Sequence, residues 1–249
     1  IHPPPRYAPG IAASAVVSAT ADISPRAHIA ATVTIGDRSK IGENAYVGPG
    51  TVIGPDCSVG DDCRLIANVI LVRDVILGLR SILHPGVVIG ADGFGNAMTP
   101  EGWVKVPQLG GVRIGNDVEI GANTTVDCGA IDDTVIEDGV RIDNLCHIGH
   151  NVRIGAQSAV AGMSGISGSA TIGKRCMLAG QSGIVGHISI CDDVVVGGKA
   201  VISKDITEPG VYAGTFTAEP AREWNRKVAR FRRLGQLIER VNKLEKGGE

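Results

Sequence analysis

Aliphatic residues recur at every sixth position over most of this chain, and no other feature restricts its possible folds as strongly. They form three runs, from residue 11 to 89, from 114 to 126 and from 142 to 202. Two five-residue steps join the second run to the third through Ile131 and Ile136. This hexapeptide period predicts an all-β fold, a parallel β-helix in which each hexad is a short strand and a turn. Three hexads close one triangular coil, so the thirty aliphatic corners predict about ten coils.

Small residues fill the rest of the repeat. The 249 residues include 35 glycines, and only 3% are aromatic, which is typical of a repeat with small, uniform interior positions. Glycine often follows the aliphatic residue, for example after Ile35, Ile53 and Ile148. We expect these glycines to occupy turns that require a positive φ.

Two interruptions divide the chain. Residues 90–112 break the register and predict an external loop, a feature that is usually functional in a compact repeat. The β-helix is therefore expected over residues 1–205, followed by a linker over 206–219. Apolar residues at steps of three and four then predict a C-terminal helical extension over 220–249, a helix of about 25 residues. Its single apolar stripe is suited to pack on another helix or on a symmetry mate.

The charge of the C-terminal segment differs from that of the rest of the chain. Residues 221–246 carry nine Lys or Arg and three Glu, whereas the whole chain has a net charge of −2. Four arginines share one face of the predicted helix: Arg222, Arg226, Arg230 and Arg233. This pattern fits either a solvated face or a docking surface for an acidic partner. The overall charge gives no indication of nucleic-acid binding.

Residues eighteen apart lie above one another in a coil of three hexads, and three neighbouring columns consist mostly of glycine. They begin at Asn144, His147 and His150, and their later members are Gly162, Gly180, Gly198, Gly165, Gly183, Gly168 and Gly186. Such columns either reflect the general need of turns for glycine or form a smooth groove parallel to the helix axis. In a groove, exposed N–H groups are suited to receive a thioester oxygen or a pantetheine amide. His187 follows the third column, on the order of 10 Å from its first residue.

His147 and His150 are the candidate acid–base residues of this region. A general base needs a pKa near neutrality and a position facing the substrate, and His150 lies at the foot of the predicted groove. His147 is the less favoured of the two. As a metal pair they need a third ligand, and His187 is too far along the axis, so no metal site is expected. The sequence contains no nucleophile elbow, and no Walker loop or dinucleotide fingerprint in context.

The cysteine pattern and the hydropathy bear on cellular location. The six cysteines form no CxxC pair and no zinc spacing, so we expect them to be reduced in a cytoplasmic protein. No apolar run reaches the length of about 18 residues that indicates a membrane span, and no signal peptide is recognisable.

Several motifs together resemble one enzyme family. The loop GADGFGNAMTPEGWVKVPQLGGVRIG, the segment NTTVDCGAIDDTVIEDGVRIDNLCHIGHNVRIG and the motifs GHISICD and ITEPGVYAG resemble the UDP-3-O-(3-hydroxyacyl)glucosamine N-acyltransferases of bacterial lipid A synthesis. The resemblance covers essentially the whole chain. It implies a left-handed β-helix and a homotrimer with active sites between subunits. It also implies transfer of an (R)-3-hydroxyacyl chain from acyl carrier protein to the 2-amine of UDP-3-O-acylglucosamine. No bound cofactor is implied, because 4'-phosphopantetheine arrives on the carrier protein.

The resemblance also implies roles for individual residues. The histidine of IGHN, His150, is the implied general base, and Asp143 and Asn144 of IDN orient the base and contact substrate. His187 of GHISIC matches a second active-site histidine, and Lys204 stands where the family has a basic residue near the pantetheine phosphate. Our own hypothesis is that the Gly168 N–H, one coil above His150, stabilises the oxyanion.

The chain departs from the family in one respect, and other functions stay open. Family members carry an N-terminal uridine-binding domain, which this chain, opening with Ile1, is expected to lack. The alternatives are the related UDP-N-acetylglucosamine O-acyltransferases, a sugar acetyltransferase that uses acetyl-CoA, a non-catalytic β-solenoid scaffold and a zinc hydratase of the same fold.

Overall fold

The computed structural model describes residues 7–246, which form two compact units that meet in sequence between Gly214 and Thr215. The first unit is a left-handed parallel β-helix, so the predicted fold class is confirmed. Its strands lie in three sheets, called face 1, face 2 and face 3 in the order in which the chain visits them. The faces contain eleven, ten and nine strands, in agreement with about ten coils.

The strands are short, and most have two residues. Face 1 contains Gly10–Ile11, His28–Ile29, Tyr46–Val47, Arg64–Leu65, Ile82–Leu83, Glu119–Ile120, Arg141–Ile142, Ala159–Val160, Met177–Leu178, Val194–Val196 and Gly210–Tyr212. Face 2 contains Val16–Val17, Thr34–Ile35, Val52–Ile53, Ile70–Leu71, Val88–Ala91, Thr125–Asp127, His147–Ile148, Gly165–Ile166, Gly183–Ile184 and Val201–Ile202. Face 3 contains Asp22–Ile23, Lys40–Ile41, Ser58–Val59, Val75–Leu77, Val112–Ile114, Thr134–Ile136, Arg153–Ile154, Thr171–Ile172 and Ser189–Ile190.

The hexad period follows from the way in which the coils stack. Neighbouring strands on one face are parallel and mostly eighteen residues apart, as in Thr34–Ile35 beside Val52–Ile53. In each pair the second residue points inward, and Ile35 and Ile53 are buried. Successive strand residues point to opposite sides of a sheet, so the first residue of each pair lies on the outer surface. One aliphatic residue per hexad is therefore enough to build a continuous core.

The glycines that follow the aliphatic residues have a different role from the one expected. Positive φ angles fall mainly on other residues, and twenty non-glycine residues in the described range have φ between 50 and 62°. The glycines are required for space instead. A Cβ at Gly54 would lie 1.8 Å from the carbonyl oxygen of Val72 in the next coil, and one at Gly36 would lie 2.8 Å from the carbonyl carbon of Gly54. The positive-φ expectation was therefore wrong for these positions, because close stacking of coils decides the residue type.

The external loop predicted over residues 90–112 leaves face 2 after Ala91 and returns on face 3 at Val112. It contains an antiparallel hairpin of Asn96–Thr99 and Gly102–Lys105. Across the loop, strands on one face are 37 residues apart instead of eighteen, as for Leu77 and Ile114. The coil continues in register, so the loop is an addition to the β-helix that leaves its stacking unchanged.

A second interruption is the bulge, residues 128–133, between face 2 and face 3. Strands across it are 22 residues apart, as for Val126 and Ile148. Ile131, expected to be an inward corner, is instead 80% exposed. The chain therefore makes one step of ten residues from Val126 to Ile136, not two steps of five. This step is a hexad with four extra residues, which protrude from the β-helix. The sequence spacing was equally compatible with two steps of five residues and with one step of ten.

The end of the β-helix lies beyond the predicted boundary at residue 205. Gly210–Tyr212 pairs in parallel with Val194–Val196 of face 1, so part of the predicted linker 206–219 is a strand. Val196 and Tyr212 are sixteen residues apart instead of eighteen, so this strand falls outside the hexad register, and its sequence was interpreted as a linker.

The second unit contains two helices, α1 over Ala221–Arg232 and α2 over Leu234–Lys246. The single helix expected within 220–249 is thus interrupted at Arg233, whose φ and ψ are −99° and 3°. No residue of either helix is buried. Within residues 7–246, no helix combines the length and the apolar character required to cross a membrane.

Candidate active site

His150 lies at the corner between face 2 and face 3, two residues after the buried Ile148. Its imidazole is half-buried between two residues that have no side chain. A Cβ at Gly93 of the external loop would lie 2.7 Å from the Cβ of His150. A Cβ at Gly168, one coil further along, would lie 2.6 Å from Nε2. The position of the ring therefore depends on both glycines, and Gly168 leaves the Nε2 edge uncovered.

The hydrogen bonds of Asn151 determine the tautomer of His150. The Ala130 N–H donates to Asn151 Oδ1 at 3.0 Å, and Asn151 Nδ2 donates to the Asp132 carbonyl at 2.8 Å. These two bonds assign the oxygen and the nitrogen of the amide. His150 Nδ1 lies 2.9 Å from Asn151 Oδ1 and must therefore be the donor. Neutral His150 consequently presents the lone pair of Nε2, which is the form that a general base requires.

The two interruptions of the repeat meet beside His150. The Leu109 and Gly110 N–H groups of the external loop donate to the carbonyls of Ala130 and Gly129 in the bulge, at 2.8 and 2.9 Å. Asn151 is bonded to the same bulge, and the external loop also supplies Gly93. The external loop and the bulge therefore form one hydrogen-bonded cover on this side of His150. The sequence located both interruptions but did not show that they are adjacent.

Asp127 is a residue of the candidate site that the sequence analysis did not name. It is only 7% exposed, and its Oδ2 lies 3.7 Å from Nε2 of His147. Burial raises the pKa of the Asp127 carboxyl above its ordinary value, while the charges of His147 and His150 act in the opposite direction. His147 Nδ1 in turn lies 2.9 Å from Thr125 Oγ1. The only available signal was a lone carboxylate at the end of a strand, immediately before the register breaks.

A pocket of about 420 Å³ lies between the external loop and face 2, and Asp127 and His147 form its inner wall. Asp92 of the loop is paired with Lys105 and lies 3.9 Å from Arg73. Gly93 lines the same pocket and also contacts the His150 position. Gly93 therefore links the pocket that Asp127 and His147 line to the neighbouring position of His150.

Asp143 and Asn144 lie at the other end of face 2, at the corner with face 1. Asp143 Oδ1 accepts hydrogen bonds from the N–H and the Nδ2 of Asn144, and its Oδ2 accepts one from Gly162 N–H at 3.0 Å. Both line a groove of about 590 Å³ on face 1, together with His84. One side of the triangle, of roughly 20 Å at most, separates this corner from His150. Within one chain these predicted partners are therefore not brought together.

The columns above His147 and His150 are aligned as the sequence indicated. His147 pairs with Gly165, and Gly165 pairs with Gly183. A Cβ at Gly165 would contact no atom within 4 Å, so the outer surface of this column is open. His187 is exposed and donates its N–H to the Gly168 carbonyl at 3.2 Å. Lys204, also exposed, follows face 2 in the register of the His150 column, roughly 14 Å further along.

Other predicted features lie outside this region. Arg222, Arg226 and Arg230 are on α1 and Arg233 is at its C-terminal end; all four are exposed, and none forms an ion pair within residues 7–246. The six cysteines are all free thiols. In the described part of the chain, no three or more His, Cys, Asp and Glu side chains are grouped so as to hold a metal ion.

Two sequence families match the repeat. The family described as bacterial transferase hexapeptide (six repeats) matches residues 38–65 and 133–168, and the hexapeptide repeat of succinyl-transferase matches residues 169–204. The chain belongs to the hexapeptide-repeat transferases. His150 lies inside the first match and Lys204 at the end of the second.

Two curated relatives agree with this assignment. The UDP-3-O-acylglucosamine N-acyltransferase of Hahella chejuensis is 49% identical over 174 residues, which is 70% of this chain and 50% of that protein. The enzyme of the same name from Coxiella burnetii is 54% identical over 68% of this chain and 50% of its own. The chain therefore spans about half the length of the curated relatives that it matches.

The UDP-N-acetylglucosamine O-acyltransferase of Moraxella catarrhalis has a similar structure, with a TM-score of 0.61 and 22% identity over 87% of this chain and 77% of that one. At this level of identity the similarity establishes the fold only.

Proposed function

We propose that this chain is the catalytic part of an N-acyltransferase that moves an (R)-3-hydroxyacyl group from acyl carrier protein to the 2-amine of UDP-3-O-acylglucosamine. The observation that carries the proposal is the geometry of His150. Its Nδ1 is committed to Asn151, and its Nε2 is uncovered beside Gly168. Relatives with 49 and 54% identity bear the name of this activity and supply the choice of substrate.

The chemistry follows from the position of the lone pair. The substrate nitrogen attacks the thioester carbonyl carbon, and His150 Nε2 accepts a proton from that nitrogen. The same proton is then donated to the departing sulfur, so His150 returns to its starting tautomer. General acid–base catalysis of this kind contributes about 10²–10⁴ in rate. The Gly168 N–H donates no hydrogen bond within residues 7–246, and we assign it to the developing oxyanion.

The open columns on face 2 are suited to an extended donor. The surface above His147 and His150 lacks side chains for two further coils, and Lys204 lies in the register of its far end. A 4'-phosphopantetheine arm carried by the acyl carrier protein fits such a track, with its phosphate near the Lys204 ammonium and its thioester near His150. His187 lies beside these open columns, and we assign it to contact the bound pantetheine arm. No cofactor of the chain itself is needed in this scheme.

A homotrimer accounts for the separation of the predicted site residues. Asp143 and Asn144 lie at one corner of the triangle and His150 at the next. In a threefold ring each copy presents one corner to a different corner of its neighbour. Asp143 and Asn144 of one copy then approach His150 of another, and the groove of face 1 becomes part of the same site.

The C-terminal unit is assigned to docking of the acyl carrier protein. Arg222, Arg226, Arg230 and Arg233 are exposed cations without an ion pair within residues 7–246, and they complement an acidic partner. The proposed location is the cytoplasm, in keeping with six free thiols.

The test is a mass-spectrometric acyl-transfer assay with His150→Ala. The wild-type chain is offered acyl carrier protein thioesters of several lengths with either UDP-3-O-acylglucosamine or UDP-N-acetylglucosamine. We expect an amide product from the first acceptor and a loss of about 10²-fold or more in His150→Ala. His28→Ala, which removes a histidine from the first coils, is the matched control. An ester product from the second acceptor would assign the chain to O-acylation. Unchanged turnover in His150→Ala would refute the assignment of His150 as the general base.

A further inference from the structure

Acylation of an amine has a proton requirement that His150 alone does not meet. An amino sugar enters largely as an ammonium ion, which must lose one proton before the nitrogen can attack. The nitrogen loses a second proton as the amide forms, and the leaving thiolate takes up one. One proton therefore remains for each turnover and has to reach solvent. This argument rests on the proposed function, because acylation of a hydroxyl releases no surplus proton.

The residues beside His150 include a carboxylate that the scheme above does not use. Asp127 is 7% exposed and makes no hydrogen bond to the described residues through its side chain, although it borders the pocket under the external loop. Its nearest charged neighbour is His147, whose Nε2 lies 3.7 Å from Oδ2. The His147 side chain is 56% exposed, so this imidazole reaches solvent.

The strand register places Asp127 on the coil next to both histidines. Thr125 and Val126 pair with His147 and Ile148, so the next position places Asp127 opposite Gly149. His147 and His150 lie on that coil, two residues before Gly149 and one residue after it. The carboxylate is 3.7 Å from the solvent-exposed imidazole of His147, and the candidate base His150 is near enough to influence it electrostatically.

We propose that Asp127 and His147 form a second proton acceptor, which takes the first proton from the substrate ammonium and passes it to water. The ammonium N–H bond breaks toward Asp127 Oδ2, and the proton moves on to His147 and then to solvent. The neutral amine attacks the thioester carbon, and His150 Nε2 takes the second proton and returns it to sulfur. Atoms and charges balance as amide, thiol and one released proton.

The charged groups around Asp127 are compatible with this role. Asp92 of the external loop faces the pocket, but it is paired with Lys105 and lies near Arg73. The remaining titratable neighbours are His147 and His150 on the adjacent coil. Asp127 is therefore the acidic group of the pocket that has no Lys or Arg partner, and it can exchange a proton without first breaking a salt bridge.

The experiment compares the pH dependence of kcat in Asp127→Asn, His147→Gln and the wild type. In Asp127→Asn only substrate already deprotonated in solution can react. Its kcat should be lower by about five- to tenfold at pH 7, the inverse of the free-amine fraction for an amine with a pKa near that of an α-amino group, and should recover as the pH rises past that pKa. His147→Gln should show a smaller loss with the same recovery. Asp117→Asn, which alters a surface carboxylate paired with Arg80, should follow the wild type. A loss in Asp127→Asn that is equal at every pH would overturn the proposal.

A second measurement separates this inference from the proposed function. Nitrogen NMR of the histidine side chains in the full chain needs no turnover. Replacing Asp127 by Asn should change the imidazole nitrogen chemical shifts of His147, because the carboxylate 3.7 Å from its Nε2 is removed. Unchanged His147 shifts would refute the pair, even if acyl transfer were fully established. A wild-type chain without acyl transfer would refute the proposed function, whereas the pairing would still be judged by the NMR result.

Discussion

Gly168→Ala is the substitution with the most sharply defined effect on the site. Gly168 does not have a left-handed φ, so alanine can adopt its backbone conformation, and only space decides the outcome. The added Cβ would lie 2.6 Å from Nε2 and 2.8 Å from Cε1 of His150, whereas ordinary contacts begin at 3.4 Å. The half-buried imidazole is the movable partner. It has to retreat by about 1 Å, a misplacement that costs about 10²-fold in rate, or roughly 2.7 kcal/mol of activation free energy.

Stability should change much less than activity. Rotation of the ring breaks the hydrogen bond between His150 Nδ1 and Asn151 Oδ1, which contributes about 1 kcal/mol to the free energy of unfolding. We therefore expect kcat to fall by about two orders of magnitude while thermal unfolding shifts only slightly. The imidazole nitrogen chemical shifts of His150 should change in the same variant, since Nδ1 loses its acceptor.

Gly165→Ala is the matched control for the space argument. Gly165 lies three residues earlier on the same coil, and a Cβ there would contact no atom within 4 Å. The His150 signals should be identical to those of the wild type, and any kinetic effect should appear in KM for the acyl donor rather than in kcat. Wild-type kcat together with unchanged His150 shifts in Gly168→Ala would refute the reasoning.

Three further predictions concern the core, the buried carboxylate and the helical unit. Ile148→Ala should lower the free energy of unfolding by about 2–5 kcal/mol in a denaturant titration, because Ile148 is fully buried, whereas Ile131→Ala should stay within about 0.5 kcal/mol. Equal losses of stability in the two variants would contradict the register in which Ile148 points inward and Ile131 protrudes. The raised pKa of Asp127 means that the folded chain keeps a proton that the unfolded chain has already released, so wild-type stability should fall from about pH 4 up to that pKa. Asp127→Asn should lack this fall, and parallel pH–stability curves would contradict it. Reversal of Arg226 and Arg230 to Glu should raise KM for acyl carrier protein without altering the circular dichroism spectrum; an unchanged KM would count against docking at this helix.

Prediction from sequence succeeded where the repeat itself carried the information. The aliphatic register located the inward column, including Ile35, Ile53 and Ile148, because each hexad must place one aliphatic residue in the core. It failed at Ile131, because two steps of five residues span the same length as a hexad with four extruded residues. It also missed Gly210–Tyr212, because a single strand added to face 1 has no period of its own.

The site was predicted unevenly for a related reason. His150 was predicted as the base because it stands at the foot of the glycine columns and inside a recognisable motif, and its role stays a prediction. Asp127 and Asn151 were not identified, since their relevance depends on contacts with a loop and a bulge that lie at other positions in the chain. Gly93 carried no signal, because a glycine within a glycine-rich loop is not distinctive.

The period of six residues can be recognised without a structure. Side chains alternate between the two sides of each strand, strands stack at a spacing of eighteen residues, and this local geometry is repeated many times. That pattern therefore specifies the β-helix, its approximate number of coils and the columns of glycine from sequence alone. The environment of His150 depends instead on where the external loop and the bulge fold back. Their contacts join residues 93, 127, 130 and 151 across successive coils, and hydrogen bonds between non-periodic segments leave no spacing in the sequence. Only the folded chain decides which nitrogen of His150 is free and which carboxylate lies next to it.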